Sequence, residues 1–580
     1  MKAIRYNILV ISLLILVSTL TINAQADYNE LMEEFRKEIQ KKMKKNKVVG
    51  ASIALFDGDN IIWSEGFGYA NTDKNLKATP ETEYRIGSIT KLFTGIAIMQ
   101  LYERNMLNID NSVIKTYPRF NMKTRFKSIN DITIRNVMTH TAGLPSDILK
   151  GIISYNPEDF TEEIDHLNKE HTIYAPNTVF AYSNPGFNLL GCIVEDISKN
   201  NYTQYIQTNI FDVIGMNNSY FDESHAVQLS EAYDAKGEIG YEIPFRAIPA
   251  GDIKSNVKDM SKFLVAFMDE KETLIKLETF EEMKRVQFDK LYEGSLQKIG
   301  IAWFIEEHEG YDPIYQHGGG TRYHRTIAKI CPEQNLGIVI LTNSYNGNSI
   351  CRLSSEILKK AIDIRKGTTT KDSESKNKFE KQLISKKELD SWNGNYATPG
   401  AVYQIQTKRN KLITSIQGNK IDMVYAGNNE FLPVAKLLGF IPVKMKSVRF
   451  VFKKNGDDIL LFQKDIKRNL LSLIGCQFEK SEISTTWENR IGSYEIINDK
   501  DGDYNIFDNF EIVKENGVLL IKTTVKMDVE ENISLGLGII SNELAYVLGK
   551  GRQGGYSIAI EYDENNNELI RFSGYLLKKE

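Results

Sequence analysis

Cysteine is scarce: the 580 residues hold four, Cys192, Cys331, Cys351 and Cys476, and none forms a C-x-x-C pair. That spacing excludes a dense disulfide framework and a thiolate metal site. The four are expected to be buried or incidental; if any bridge forms, the expected one is Cys331 to Cys351, the nearest pair. Histidine is nearly as sparse, with 7 residues, no His-Glu-x-x-His and no ligand-like cluster. No metal or other cofactor is therefore expected. Neither charge is in excess: 72 Lys and Arg against 76 Asp and Glu give a net of -4, which removes the basic footprint of a nucleic-acid binder. At 42% hydrophobic and 26% charged residues, the composition also excludes a polytopic membrane protein and extended disorder.

What is present is length. A single hydrophobic core stops growing at roughly 250–300 residues, so 580 predict two or three domains. The chain opens with Lys2 and Arg5, an almost uncharged apolar stretch from Ile8 to Ile22, and Ala24-Gln25-Ala26 before Asp27. That order is the one of a secretory signal peptide, so residues 1–26 are expected to be cut after Ala26 and the mature chain to be periplasmic or secreted, with no stable membrane span.

Residues 28–45 place Leu31, Met32, Phe35 and Ile39 on one helical stripe. Two β-rich runs around Asp57-Gly58-Asp59-Asn60 predict a hairpin, helical patterns dominate from Ser88 to Met268, and β-rich runs return between Ile299 and Leu341. Strands at both ends with helices between them predict an α+β domain over 27–365 whose ends meet in one antiparallel sheet. Residues 366–378 contain no apolar side chain and open a linker taken to 386. Short strands and turns follow, and two openings match: Trp392 before Gly394-Asn395-Tyr396, and Trp487 before Gly492-Ser493-Tyr494. Two successive small antiparallel β-barrel-like modules are expected, at 387–485 and 486–580. Asp499-Lys500-Asp501-Gly502-Asp503 resembles a calcium loop, but its glycine is misplaced and Phe510 holds the twelfth position, so a turn is expected.

A serine hydroxyl becomes a nucleophile when a neighbouring group takes its proton, and lysine can do this if its environment lowers its pKa. Ser88-Ile89-Thr90-Lys91 puts both on one helical face. The pattern is cheap, since Ser112, Ser255, Ser295, Ser373 and Ser375 also start a Ser-x-x-Lys. What separates Ser88 is its company: Tyr182-Ser183-Asn184 and then His317-Gly318-Gly319-Gly320.

In these three ordered motifs the sequence resembles the serine β-lactamase and penicillin-binding-protein superfamily, in its class C-like branch. Met138-Thr139-His140-Thr141-Ala142-Gly143-Leu144 and Pro249-Ala250-Gly251-Asp252 are similar to the same branch, and the resemblance covers roughly residues 30 to 365. It implies an acyl-enzyme on Ser88, proton transfer shared by Lys91 and Tyr182 with the base left open between them, Asn184 holding a substrate amide, and an oxyanion site from the backbone of Ser88 and Gly320 beside Gly319. His140 is implied to be structural. His317 stands where the best-known members carry lysine, which argues against carboxylate-bearing penicillins as natural substrates; Arg322 is one alternative source of charge. The second module resembles the lipocalin-like domains appended to some members, which implies a small-peptide substrate, possibly one containing D-residues. The leading expectation is an exported serine hydrolase of an amide or ester. The alternatives are an esterase, a β-lactamase or DD-peptidase, and a non-catalytic binding or sensor protein. No nucleic-acid partner is expected, and the oligomeric state stays open.

Overall fold

The computed structural model describes residues 28–580 except 269, 289–296, 369–381, 417–418, 438–440, 467–469, 501, 527–529 and 553. The leader read at 1–26 and most of the linker read at 366–386 lie outside the described residues.

The first unit is built on β1 (Gly50–Asp57), β2 (Asn60–Asn71), β3 (Leu76–Lys77), β4 (Gln297–Ile299), β5 (Phe304–Glu306), β6 (Ile314–Gly320), β7 (Arg325–Cys331) and β8 (Leu336–Thr342). They form one antiparallel sheet in the order β3-β2-β1-β8-β7-β6-β5-β4. Strands from the two ends of the unit pair at its centre, Ile53 opposite Ile340 and Leu55 opposite Ile338. Successive side chains of a strand point to opposite faces. In β1, Ala54 and Phe56 enter one core while Ile53 and Leu55 enter another, so the sheet is covered on both sides.

One cover is α1 (residues 28–46) with α5 (Leu353–Lys366), through Leu31, Phe35 and Ile39 against Ile357, Leu358 and Ile362. The other is a helical layer containing α2 (Thr90–Glu103), α3 (Asn184–Ser198) and α4 (Val257–Met268). Helix α2 is buried without interruption from Thr90 to Leu101. A helix apolar on all sides belongs at the centre of a domain, and this one carries Lys91 there.

No disulfide forms, and the cysteines are buried as expected. All four cysteines are buried free thiols. Cys331 ends β7, whereas the Cys351 Sγ donates to the carbonyl of Arg325 at the other end of the same strand. At about 3.3 Å per residue that separates the sulfurs by roughly 20 Å, far beyond disulfide reach.

Two closed barrels of eight antiparallel strands follow. The first runs from Gly394–Thr398 to Leu470–Phe478. It closes through Asn395 opposite Phe478 and Ile421 opposite Ala435, with Ile441–Lys444 as an extra strand outside the ring. The second runs from Gly492–Ile496 to Tyr575–Lys579 and closes at Tyr494 opposite Lys579. Closure removes the unpaired strand edges. The matching openings have one physical meaning: a serine-capped helical turn, a buried tryptophan, and a tyrosine whose hydroxyl donates four residues back. Tyr396 donates to the Trp392 carbonyl at 2.9 Å and Tyr494 to that of Arg490 at 2.7 Å.

The second barrel is locked onto the first unit. Ile152 of the first unit is counted in the barrel's own core, beside Trp487 and Phe507. Glu170 accepts from the Gly574 amide at 2.9 Å and from the Ser557 hydroxyl at 3.1 Å. The calcium-like loop is a turn filled by a side-chain cation: the Lys150 ammonium reaches Asp499 at 2.9 Å, Asp503 at 2.7 Å and Asn505 at 3.1 Å. Within this set Lys150 and Asp503 are largely buried, and removing the lysine strands the Asp503 carboxylate. Lys150→Met is expected to cost about 3 kcal/mol, read as a lower denaturant midpoint, with the second barrel becoming protease-sensitive before the first unit.

Candidate active site

Ser88 lies in a single 3-10 turn, Gly87–Ile89, that runs directly into α2, and Lys91 occupies the first turn of that helix. Ser88 is half-buried, whereas Lys91 is fully buried. The Lys91 Nζ makes three contacts: Ser88 Oγ at 3.2 Å, Asn184 Oδ1 at 2.7 Å and the Ala250 carbonyl at 2.6 Å. Burial, and then the Arg552 charge, push its pKa well below the ordinary lysine range, while Asp147 pulls the other way. The same three contacts fix what the neutral form would do. A neutral amine has two N–H groups and one lone pair. The two oxygens of Asn184 and Ala250 can only accept, so they take the two hydrogens and leave the lone pair toward Ser88.

The orientation of Asn184 is itself enforced. Its Nδ2 donates to Asp147 Oδ1 at 2.6 Å, a carboxylate oxygen that can only accept, so Oδ1 must face Lys91. Asn184 begins α3, but the helix cap is Ser183, whose hydroxyl accepts from the Gly186 amide at 3.1 Å and donates to the Pro145 carbonyl at 2.6 Å. Tyr182, half-buried, precedes this cap and hydrogen-bonds with Ser88. Burial pushes its phenol above the usual tyrosine value despite that bond and the nearby Arg552, so the phenol keeps its proton at neutral pH. His140 holds a left-handed conformation with φ of 57°, takes the Ser183 amide on Nδ1 at 3.1 Å and stacks 4.2 Å from Tyr182. It shapes the turn and makes no contact with Ser88.

Strand β6 forms the opposite wall. A Cβ on Gly319 would lie 1.9 Å from the Ile86 carbonyl oxygen, and one on Gly87, whose φ is +56°, would lie 2.6 Å from the Gly320 amide nitrogen. The Gly319-Gly320 backbone is therefore pressed against the residues preceding Ser88, and the Thr326 hydroxyl ties the contact by donating to Ile86 at 2.8 Å. His317 is 1% exposed. Its Nδ1 lies 2.8 Å from the Gly318 carbonyl, which requires the proton there, and Nε2 has no partner. Burial, and then the Lys91 charge, lower its pKa to about 3. His317 is neutral across the physiological range and is no substitute for a lysine. Arg322 lies over the Tyr323 and Tyr504 rings, at 5.2 and 5.6 Å.

The cation beside the site comes from a residue that sequence reasoning missed. Arg552, between strands of the second barrel, places its guanidinium 5.1 Å over the Tyr182 ring and 3.3 Å from Asp147 Oδ2. Its sequence signal is Gly549-Lys550-Gly551-Arg552-Gln553-Gly554, a G-x-G-x-x-G string. It opens no helix after a strand, so it lacks the context of a dinucleotide site. Asp147 went unnoticed because nothing in its neighbourhood marks a lone aspartate. Among the described residues no group of His, Cys, Asp or Glu could hold a metal ion.

A serine and a buried lysine one turn apart, facing Tyr-x-Asn and a glycine strand on an antiparallel sheet flanked by helices, define the fold and motif set of the β-lactamase and penicillin-binding-protein class. The family model described as Beta-lactamase matches residues 35–353, more than half of the chain, and the chain belongs to that family. Protein flp of Staphylococcus aureus (strain N315) is 26% identical over 346 residues, which cover 58% of this chain and 66% of that protein. Among solved structures, the octameric penicillin-binding protein homologue from Pyrococcus abyssi aligns with a TM-score of 0.53 at 23% identity, covering 77% of this chain and all of that one. The β-lactamase/D-alanine carboxypeptidase from Pseudomonas syringae aligns at 0.50 and 20% identity, covering 57% of this chain and 99% of that one. At these identities the likeness is one of fold.

The tight seam between β6 and Ile86-Gly87 makes a direct prediction. Gly319→Ala is expected to force the strand away from Ile86 at a cost of about 2 kcal/mol, seen as a lowered melting temperature, and to cut labelling of Ser88 by a fluorophosphonate more than tenfold.

Proposed function

We propose that the protein is an exported serine hydrolase that cleaves an amide or ester of a small acyl substrate through an acyl-enzyme on Ser88. The observation that carries this reading is the buried Lys91 amine, held by two acceptor-only oxygens with its Nζ 3.2 Å from Ser88 Oγ and its pKa lowered by burial.

Lys91 acts as the base. Ser88 Oγ attacks the carbonyl carbon as its proton passes to Lys91, and the tetrahedral oxyanion is held by the backbone amides of Ser88 and Gly320. The C–N or C–O bond then breaks. Tyr182, still protonated, supplies a proton to the departing atom and is reprotonated from Lys91. Water attacks the resulting ester, gives a proton to the same relay and releases the acid with Ser88 restored. Asn184, clamped by Lys91 and Asp147, borders the acyl side of the attacked bond, while His317 on β6 and Phe304 on β5 form the opposite wall. Export rests on the leader-like order of residues 1–26, and the unit acting on substrate is residues 27–365 with the Arg552 loop of the second barrel at its mouth.

Ser88→Ala is expected to abolish both hydrolysis and the mass shift that a fluorophosphonate adds to the Ser88 peptide. Retention of hydrolysis in that variant would overturn the acyl-enzyme reading. The lowered Lys91 pKa sets the sign of the pH dependence: the free base accumulates as pH rises, so kcat/KM is expected to climb through an inflection well below the ordinary lysine value. Lys91→Arg, which cannot shed its proton, is expected to lose at least a thousandfold at every pH.

A further inference from the structure

The site has an unspent cation. Among the described residues the Arg552 side chain donates one hydrogen bond, the long one to Asp147, whereas a guanidinium carries five N–H groups in a planar fork suited to a carboxylate. Its side chain is 56% exposed, on the mouth of a site whose Lys91 is wholly buried.

Its position is built rather than incidental. The Arg552 carbonyl accepts from the Ser146 hydroxyl at 2.7 Å, next to Asp147. Tyr174 donates to the Gly551 carbonyl at 3.2 Å, and Arg125 donates to that of Gly555 at 2.7 Å. The first barrel braces the same loop through an ion pair of Asp458 with Lys550 and through Ala397 packed with Leu548. Gly549, Gly551 and Gly555 hold φ values of +112°, +85° and +82°, in the region that favours glycine. Two barrels thus present one arginine to the catalytic unit.

Two described carboxylates near the site, Asp147 and Glu242, are already committed to partners within the protein. Both oxygens of Asp147 are engaged, by Asn184 and by Arg552, and the Glu242 carboxylate is taken up by Thr321, the Arg322 and Tyr323 amides and His324. Whereas His317 on β6 is neutral, the permanent charge lies over the Tyr182 ring and beside Asp147. It borders Asp147 and Asn184, the side assigned above to the acyl group.

We infer that Arg552 is a specificity-determining residue that selects substrates carrying a carboxylate on the acyl portion, so that the second barrel supplies the recognition charge missing from strand β6. This rests on the acyl-enzyme reading. The carboxylate seats on the free N–H groups of Arg552 beside the Tyr182 ring, and the bond cleaved remains the one presented to Ser88.

Matched esters test it in the full-length protein. p-Nitrophenyl hemisuccinate and p-nitrophenyl butyrate differ by a carboxylate on the acyl side; 4-acetoxybenzoate and phenyl acetate differ by one on the leaving group. Wild type is expected to favour hemisuccinate over butyrate by at least tenfold in kcat/KM, with no comparable gain in the second pair. Arg552→Gln is expected to erase the preference, Arg552→Lys to keep part of it, and Arg552→Glu to invert it. Equal losses on both members of the first pair would mark Arg552 as a loop anchor and overturn the inference, as would a preference confined to the leaving-group pair or none at all. Fluorophosphonate labelling of wild type separates the two levels. An adduct on Ser88 without charge preference overturns this inference alone, and absence of the adduct removes the acyl-enzyme reading beneath it.

Discussion

The structure depends on one amine kept away from water. Lysine is costly to bury in its charged form; in the folded chain burial lowers the Lys91 pKa well below the ordinary range, while its nitrogen keeps three polar neighbours. The unfolded chain binds that proton more tightly than the folded chain does. Lys91 therefore weakens the fold at neutral pH, by a penalty that fades as pH rises toward the ~10.4 of a free lysine. Such a position persists only inside a large, well-packed surround, and the unbroken burial of α2 from Thr90 to Leu101 provides it. The strain of holding a base in the core is offset by apolar packing spread over the sheet and both helical layers.

From Lys91 the constraint runs outward through a chain of acceptors and donors. Asn184 faces the amine because Asp147 holds its other end, and Asp147 is bracketed by Arg552 and by the Tyr556 hydroxyl, which accepts from the Asp147 backbone amide at 3.0 Å. Two of these four residues belong to the second barrel. The appended domain is thereby continuous with the polar network of the site, and Lys150, Glu170 and Ile152 fasten it at three further points. Many short-range contacts across one seam give a fixed placement that a flexible tether could not.

Much of this was legible in the residue order. The α+β unit followed from strand patterns at both ends of a helical stretch, and the barrels from repeated Trp and Gly-x-Tyr openings. The three motifs singled out Ser88 among six Ser-x-x-Lys strings. Two local resemblances in the sequence led nowhere, for reasons of distance and environment. Cys331 and Cys351 are near in sequence but belong to opposite ends of β7. The calcium-like loop gathers its carboxylates around a lysine from 350 residues away in the chain, which no local pattern could indicate.

By itself, the sequence determined the class of fold and the family and singled out the residues of the candidate site, because periodicity and ordered short motifs are local properties of a chain. Which way the Lys91 lone pair points, why His317 is neutral and which cation reaches Tyr182 were decided only by tertiary structure. These depend on burial and on distances between groups hundreds of residues apart. The scarcity of cysteine and the balance of charge excluded many functions, and the fold then placed one exposed arginine from the far end of the chain at the mouth of the site.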